Sequence, residues 1–87
     1  MKKEELDLLV NDRFRILQFL RDTQQEIEGK RFSPVLYEEI ASKLHLSRQT
    51  VAKHIDVLKD AGFVKTLIKG RLQLTDKGLK TLSDLEK

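Results

Sequence analysis

Leu36-Tyr37-Glu38-Glu39-Ile40-Ala41-Ser42-Lys43-Leu44-His45-Leu46-Ser47-Arg48-Gln49-Thr50-Val51 is the stretch from which the rest of this chain can be read. Leu36, Ile40, Ala41 and Leu44 recur three and four residues apart, which predicts a short helix over 36–44 with those side chains on its buried side. Glu38 and Glu39 fall in its first turn, where the helix dipole favours carboxylates. His45-Leu46 leaves room only for a tight connection. Ser47 is a good N-cap for a second helix running to Lys59 or Asp60, with Val51, Ile55 and Leu58 as its apolar stripe. Ala61-Gly62 is its stop. Two helices that cross closely need a small residue at the crossing, which Ala41 supplies. They also need an apolar residue in the turn, Leu46, and a branched one locking the second helix onto the first, Val51.

Toward the C-terminus, Phe63 to Ile68 and Arg71 to Leu74 are β-prone runs around Lys69-Gly70, read as a two-residue hairpin loop. That loop sets Ile68 opposite Arg71 and Leu67 opposite Leu72. Leu67, Leu72 and Leu74 then face the core while Arg71 and Gln73 face water. Thr75-Asp76-Lys77-Gly78 opens a last helix, capped by Thr75 and striped with Leu79, Leu82 and Leu85.

Toward the N-terminus, residues 4–27 hold no Pro or Gly and carry two apolar stripes at helical spacing. One runs through Leu6, Leu9, Val10, Leu17, Leu20 and Ile27, the other through Leu8, Ile16 and Phe19. Asn11-Asp12 offers a second helix start within that run. Glu28-Gly29-Lys30-Arg31 reads as the end of the helix, with Gly29 a left-handed stop. Phe32-Ser33-Pro34-Val35 reads as extended, because Pro34 disfavours helical angles at Ser33.

Eighty-seven residues suit a single domain, 1–87, with a modest core. There is no cysteine, so disulfide and thiolate chemistry are excluded. The opening Met1-Lys2-Lys3-Glu4-Glu5 leads into an apolar stretch too brief for a signal peptide or membrane span. The expectation is a cytoplasmic, nucleoid-associated protein with no membrane partner. Charge is unevenly spread. Residues 1–28 carry five Lys/Arg against seven Asp/Glu, whereas residues 42–71 carry seven Lys/Arg against two Asp. A basic half of this kind faces a polyanion or forms a solvated charged surface.

The chain resembles the winged helix-turn-helix family of bacterial and archaeal transcriptional regulators. The resemblance rests on Tyr37 to Leu44, Leu46 to Val51, Leu58-Lys59-Asp60-Ala61-Gly62-Phe63-Val64 and Leu74-Thr75-Asp76-Lys77-Gly78, in that order. It implies an α+β, mostly helical fold: a three-helix core, a short β-hairpin wing and a C-terminal helix. Two departures stand out. His45 occupies a left-handed turn position usually held by glycine, and the wing is short.

What the resemblance implies for function is double-stranded DNA binding, with helix 47–59 in the major groove. Gln49 and Lys53, one turn apart on the face away from Val51 and Ile55, become base-edge contacts, Gln favouring adenine and Lys guanine. Ala52 lies between them, within reach of a thymine methyl. Ser47, Arg48 and Thr50 become phosphate contacts, which position rather than specify. Lys69 and Arg71 at the wing tip reach a flanking backbone or the minor groove. Asp56 on the same helix is an objection to DNA binding, unless it accepts from a cytosine amino group.

Other chemistries find little support. His45 and His54 have no cysteine or carboxylate at ligand spacing, so no metal and no cofactor are expected; His54 reads as tucked against the hairpin. Glu38 and Glu39, adjacent on a helix, point in different directions and do not form a catalytic pair. No phosphate loop, nucleophile elbow or Ser-His-Asp arrangement is present, so the chain does not read as an enzyme. The extra stripe on the first helix favours a homodimer through Leu6, Leu9, Val10, Leu79, Leu82 and Leu85. Its reading helices would lie about 34 Å apart. The leading reading is a regulator that represses or activates transcription. With no sensing domain in view, control falls to abundance, a partner or a small pocket. Replication control, chromosome architecture and a protein-interaction module remain open alternatives.

Overall fold

The computed structural model describes residues 12–67 and 70–86. In chain order the elements are α1 (Asp12–Thr23), β1 (Gln25–Ile27), β2 (Lys30–Phe32), α2 (Tyr37–Leu44), α3 (Arg48–Asp60), β3 (Val64–Thr66), β4 (Leu72–Leu74) and α4 (Asp76–Leu85). This is a winged helix: helices α1, α2 and α3 enclose the core, and the β3–β4 hairpin is the wing. Ile16, Leu17 and Leu20 from α1 meet Ile40, Ala41 and Leu44 from α2 and Val51, Ile55 and Leu58 from α3. Phe63, Val64, Leu72, Leu74 and Leu82 close the cluster from the hairpin and α4. Apolar side chains removed from water at this density provide most of the stability available to so short a chain.

Three sequence expectations are corrected here. The first helix does not reach residue 27. The Thr23 hydroxyl donates to the Phe19 carbonyl at 2.8 Å, and the chain then turns into a β1–β2 hairpin. Ile27 pairs with Lys30, and the two residues between them both take positive φ, Glu28 at 53° and Gly29 at 80°. That is the primed turn whose twist suits a two-residue hairpin loop. Ile27, placed on the buried stripe by the helical reading, is 51% exposed.

Second, Leu36 is not on the buried side of α2. It is the N-cap residue, 63% exposed, and its backbone N–H donates to the Glu39 carboxylate at 3.2 Å. Only half of a capping box forms, because leucine has no acceptor to return the bond.

Third, the wing register is shifted by one. Val64 pairs with Leu74, Lys65 with Gln73 and Thr66 with Leu72. The Leu67 N–H then donates to the Arg71 carbonyl at 2.6 Å, so Leu67 faces Arg71 and not Leu72. A one-residue slip moves side chains to the opposite face. Leu67 therefore joins Lys65, Gln73 and Arg71 on the outer face, while Leu72 and Leu74 keep their expected core positions.

Ser33, 1% exposed, fastens the two hairpins and α1 together. Its N–H donates to the Leu72 carbonyl at 2.8 Å and its hydroxyl to the Leu20 carbonyl at 2.5 Å. The end of α3 is held as firmly. Gly62 at φ 85° lets its N–H reach the Lys59 carbonyl and that of Phe63 reach the Leu58 carbonyl, a Schellman closure. From α4, the Thr75 hydroxyl donates to the Gly62 carbonyl at 2.6 Å and accepts from the Gly78 N–H at 3.0 Å. Lys77 donates to the Ala61 carbonyl at 2.9 Å and lies over the Phe63 ring. Gly78 is needed for this docking, since a Cβ there would sit 2.3 Å from the Phe63 carbonyl oxygen.

Candidate nucleic-acid interface

The connection between α2 and α3 is as tight as the sequence requires. His45 takes the left-handed conformation, φ 60° and ψ 44°, and its N–H and that of Leu46 both turn back to the Ala41 carbonyl. Ala41, buried beneath this turn, is the small residue where the helices cross. Leu46 packs onto the core and Val51 is fully buried. Ser47 caps α3 by accepting from the Thr50 N–H at 3.0 Å, while its own proton goes to the Thr50 hydroxyl oxygen at 2.8 Å. That engagement leaves the Thr50 hydroxyl proton as the donor this cap offers outward.

With Val51, Ile55 and Leu58 turned inward, α3 presents Arg48, Gln49 and Lys53 exposed and Thr50 and Ala52 partly exposed. No acidic residue of α3 itself stands in its first turn. Arg48, Gln49, Thr50, Ala52 and Lys53 thus share one accessible end of one helix, with Ser47 shaping it. Arg71 lies apart, exposed on the outer face of the wing, with its guanidinium 4.8 Å above the Phe32 ring. Lys69 lies outside the described residues.

Several neighbours were not legible in the sequence. The Arg48 Nε donates to the Glu38 carboxylate across the turn at 2.8 Å, both side chains well exposed. Only the αL turn at His45, which folds α2 back beside the start of α3, brings that pair together. His54 is corrected from its expected place by the hairpin: its Nδ1 accepts from the Arg13 Nε of α1 at 3.2 Å. Burial, and then the Arg13 charge, hold the imidazole below its ordinary pKa, so the neutral form is favoured. Asp56 lies close enough to Tyr37 to add to the upward shift that burial imposes on the phenol. Between the two hairpins is a groove of about 500 Å³ lined by Ile27, Phe32 and Leu67 with Lys30, Lys65 and Arg71 at its rim.

The terminal-helix surface divides. Leu82 is fully buried within the chain, so it serves the core, whereas Leu79 and Leu85 are partly exposed. Leu6, Leu9 and Val10 lie outside the described residues. Among the described residues no group of three or more His, Cys, Asp or Glu has a metal-binding arrangement, and no helix is long and apolar enough to cross a membrane.

Comparison with known proteins adds two findings. A family model described as a helix-turn-helix domain matches residues 12–66. Among solved structures, a transcriptional regulator of the CRP/FNR family from Thermus thermophilus superposes with a TM-score of 0.68 at 28% identity. The match covers 93% of this chain but 45% of that one, so the present sequence spans less than half of that regulator's length. Comparison with curated proteins gave no match.

Proposed function

Because the chain belongs to the helix-turn-helix domain family, we propose that it is a sequence-specific regulator of transcription that reads the major groove of double-stranded DNA with α3. The observation that carries this is the exposed polar and cationic face of Arg48, Gln49 and Lys53 on a helix whose opposite face is locked into the core. A recognition helix needs a rigid mounting and an exposed first turn; α3 is anchored through Val51, Ile55 and Leu58, and Arg48 and Gln49 are exposed at its start. The structural likeness to a transcriptional regulator supports the same reading. Gln49 and Lys53 take the base-edge role, with Ala52 between them. Ser47, Arg48 and Thr50 position the helix on phosphates, and Lys69 and Arg71 reach the flank.

Selection of bound sequences from a random duplex pool at near-physiological salt tests this reading. Enrichment of one motif is expected, and a palindrome would also establish a twofold assembly, for which Leu79 and Leu85 remain available. Failure to enrich any motif while binding stays salt-dependent would point to an architectural role instead. A Gln49→Ala/Lys53→Ala double variant should lose discrimination between bases, about 1–3 kcal/mol per contact. Unchanged site preference in that variant would refute α3 as the reading element.

A further inference from the structure

The pair between Glu38 and Arg48 places an intramolecular carboxylate on the cation nearest the start of the reading helix, at 2.8 Å. Glu38 is the second residue of α2 and Arg48 the first of α3. A phosphate that approached Arg48 would offer the same chemistry that Glu38 already supplies, an anionic oxygen accepting from the guanidinium. It would also meet the carboxylate itself.

Resting on the DNA-binding reading above, we propose that Glu38 is an intramolecular competitor of backbone phosphate for Arg48 and so lowers the affinity of α3 for DNA of any sequence. Every duplex offers Arg48 phosphate, so exchanging one anion for another gains little and adds repulsion between Glu38 and the backbone. Both side chains are more than half exposed, so the pair is too weak to be explained as a structural necessity. The neighbouring Glu39 differs. Its carboxylate accepts from the Leu36 N–H and supports the start of α2. The two adjacent acids therefore have separable roles and provide their own control.

The test is fluorescence-anisotropy titration of the full chain with a random-sequence duplex and with its selected site, across a salt series. Glu38→Gln should tighten random-duplex binding about threefold, the scale of one exposed ion pair. It should steepen the log–log salt slope by as much as about 0.9, one further phosphate neutralised. Affinity for the selected site should rise by a similar factor, because Arg48 meets phosphate there too, so the ratio between them holds. Glu39→Gln, which removes the same charge, should leave random-duplex affinity nearly unchanged. In an Arg48→Ala background the effect of Glu38→Gln should shrink to that of Glu39→Gln, because no guanidinium is left to release and only the repulsion is relieved. Equal tightening by Glu38→Gln and Glu39→Gln would overturn the proposal in favour of simple net charge, as would an undiminished effect without Arg48. Absence of binding to any duplex would instead defeat the DNA-binding reading itself, which keeps the two failures distinct. Circular dichroism on each variant confirms the fold.

Discussion

The α2–α3 pair and the two hairpins are built by different means. In the helix pair, buried side chains set the geometry: Ile40, Ala41, Leu44, Val51, Ile55 and Leu58 recur at helical spacing, and a slip of one residue would expose several of them together. In the hairpins each strand is three residues long, and geometry depends on turn residues with positive φ and on a few hydrogen bonds such as those of Ser33. Redundant determinants make the helix pair resistant to error. Single determinants make the hairpins sensitive to it.

The largest expected contrast is between packing and turn chemistry. Ile55→Ala, at a fully buried position, should cost about 3–4 kcal/mol, read as a lowered urea midpoint. A loss under about 1 kcal/mol would break the claim that α3 is anchored by its aliphatic side. Gly78→Ala comes next. The added methyl collides with the Phe63 carbonyl oxygen, so α4 must move off the corner, at a cost of about 2–3 kcal/mol. Gly29→Ala meets no atom within 4 Å and pays only for the left-handed backbone, about 1 kcal/mol. If Gly29→Ala cost more than Gly78→Ala, the hairpin turn would be the stronger determinant and the contrast would invert.

The smallest effect is pH-dependent and belongs to the helices. His54 binds its proton less readily folded than unfolded, chiefly through burial and then through the Arg13 charge. Its contribution is complete above the unfolded value of about 6.5 and is lost as pH falls through the lower folded value. Stability should therefore decline gently as pH drops below neutrality, and His54→Gln should flatten that slope. A second loss belongs to more acid solution, where Glu86, held low by its hydrogen bond from Arg21, takes up a proton. A steeper decline in the His54→Gln variant would show that the imidazole prefers its charged form in the fold.

This division also decides what could be read from the chain alone. Helices α2 and α3, the Ser47 and Thr75 caps and the Gly62 stop follow from side-chain spacing or from a residue type with one evident use, whereas the left-handed turn at His45 comes from the family resemblance. The β1–β2 hairpin escaped because Glu28-Gly29 is a weak turn signal beside an uninterrupted helical pattern, and Ile27 fitted that pattern by coincidence of spacing. The wing register escaped because strands of three residues hold too few side chains to fix the pairing to a single residue from the sequence alone. Within the candidate interface, the exposed face of α3 was legible from its own periodicity. The Glu38–Arg48 and Arg13–His54 contacts were not, since each joins side chains that only the folded turn or the packed helices bring together.

The clamp that Thr75, Lys77 and Gly78 place on residues 61–63 has a practical corollary for anyone cutting or extending this molecule. Cargo attached beyond Leu85 is separated from that joint by nearly the whole of a ten-residue helix, so a reporter or affinity handle there should leave the wing angle untouched. A circular permutation opened between Leu74 and Thr75 would uncouple the hairpin from that joint along the chain, and its place would then rest on Ser33 and the buried Val64, Leu72 and Leu74.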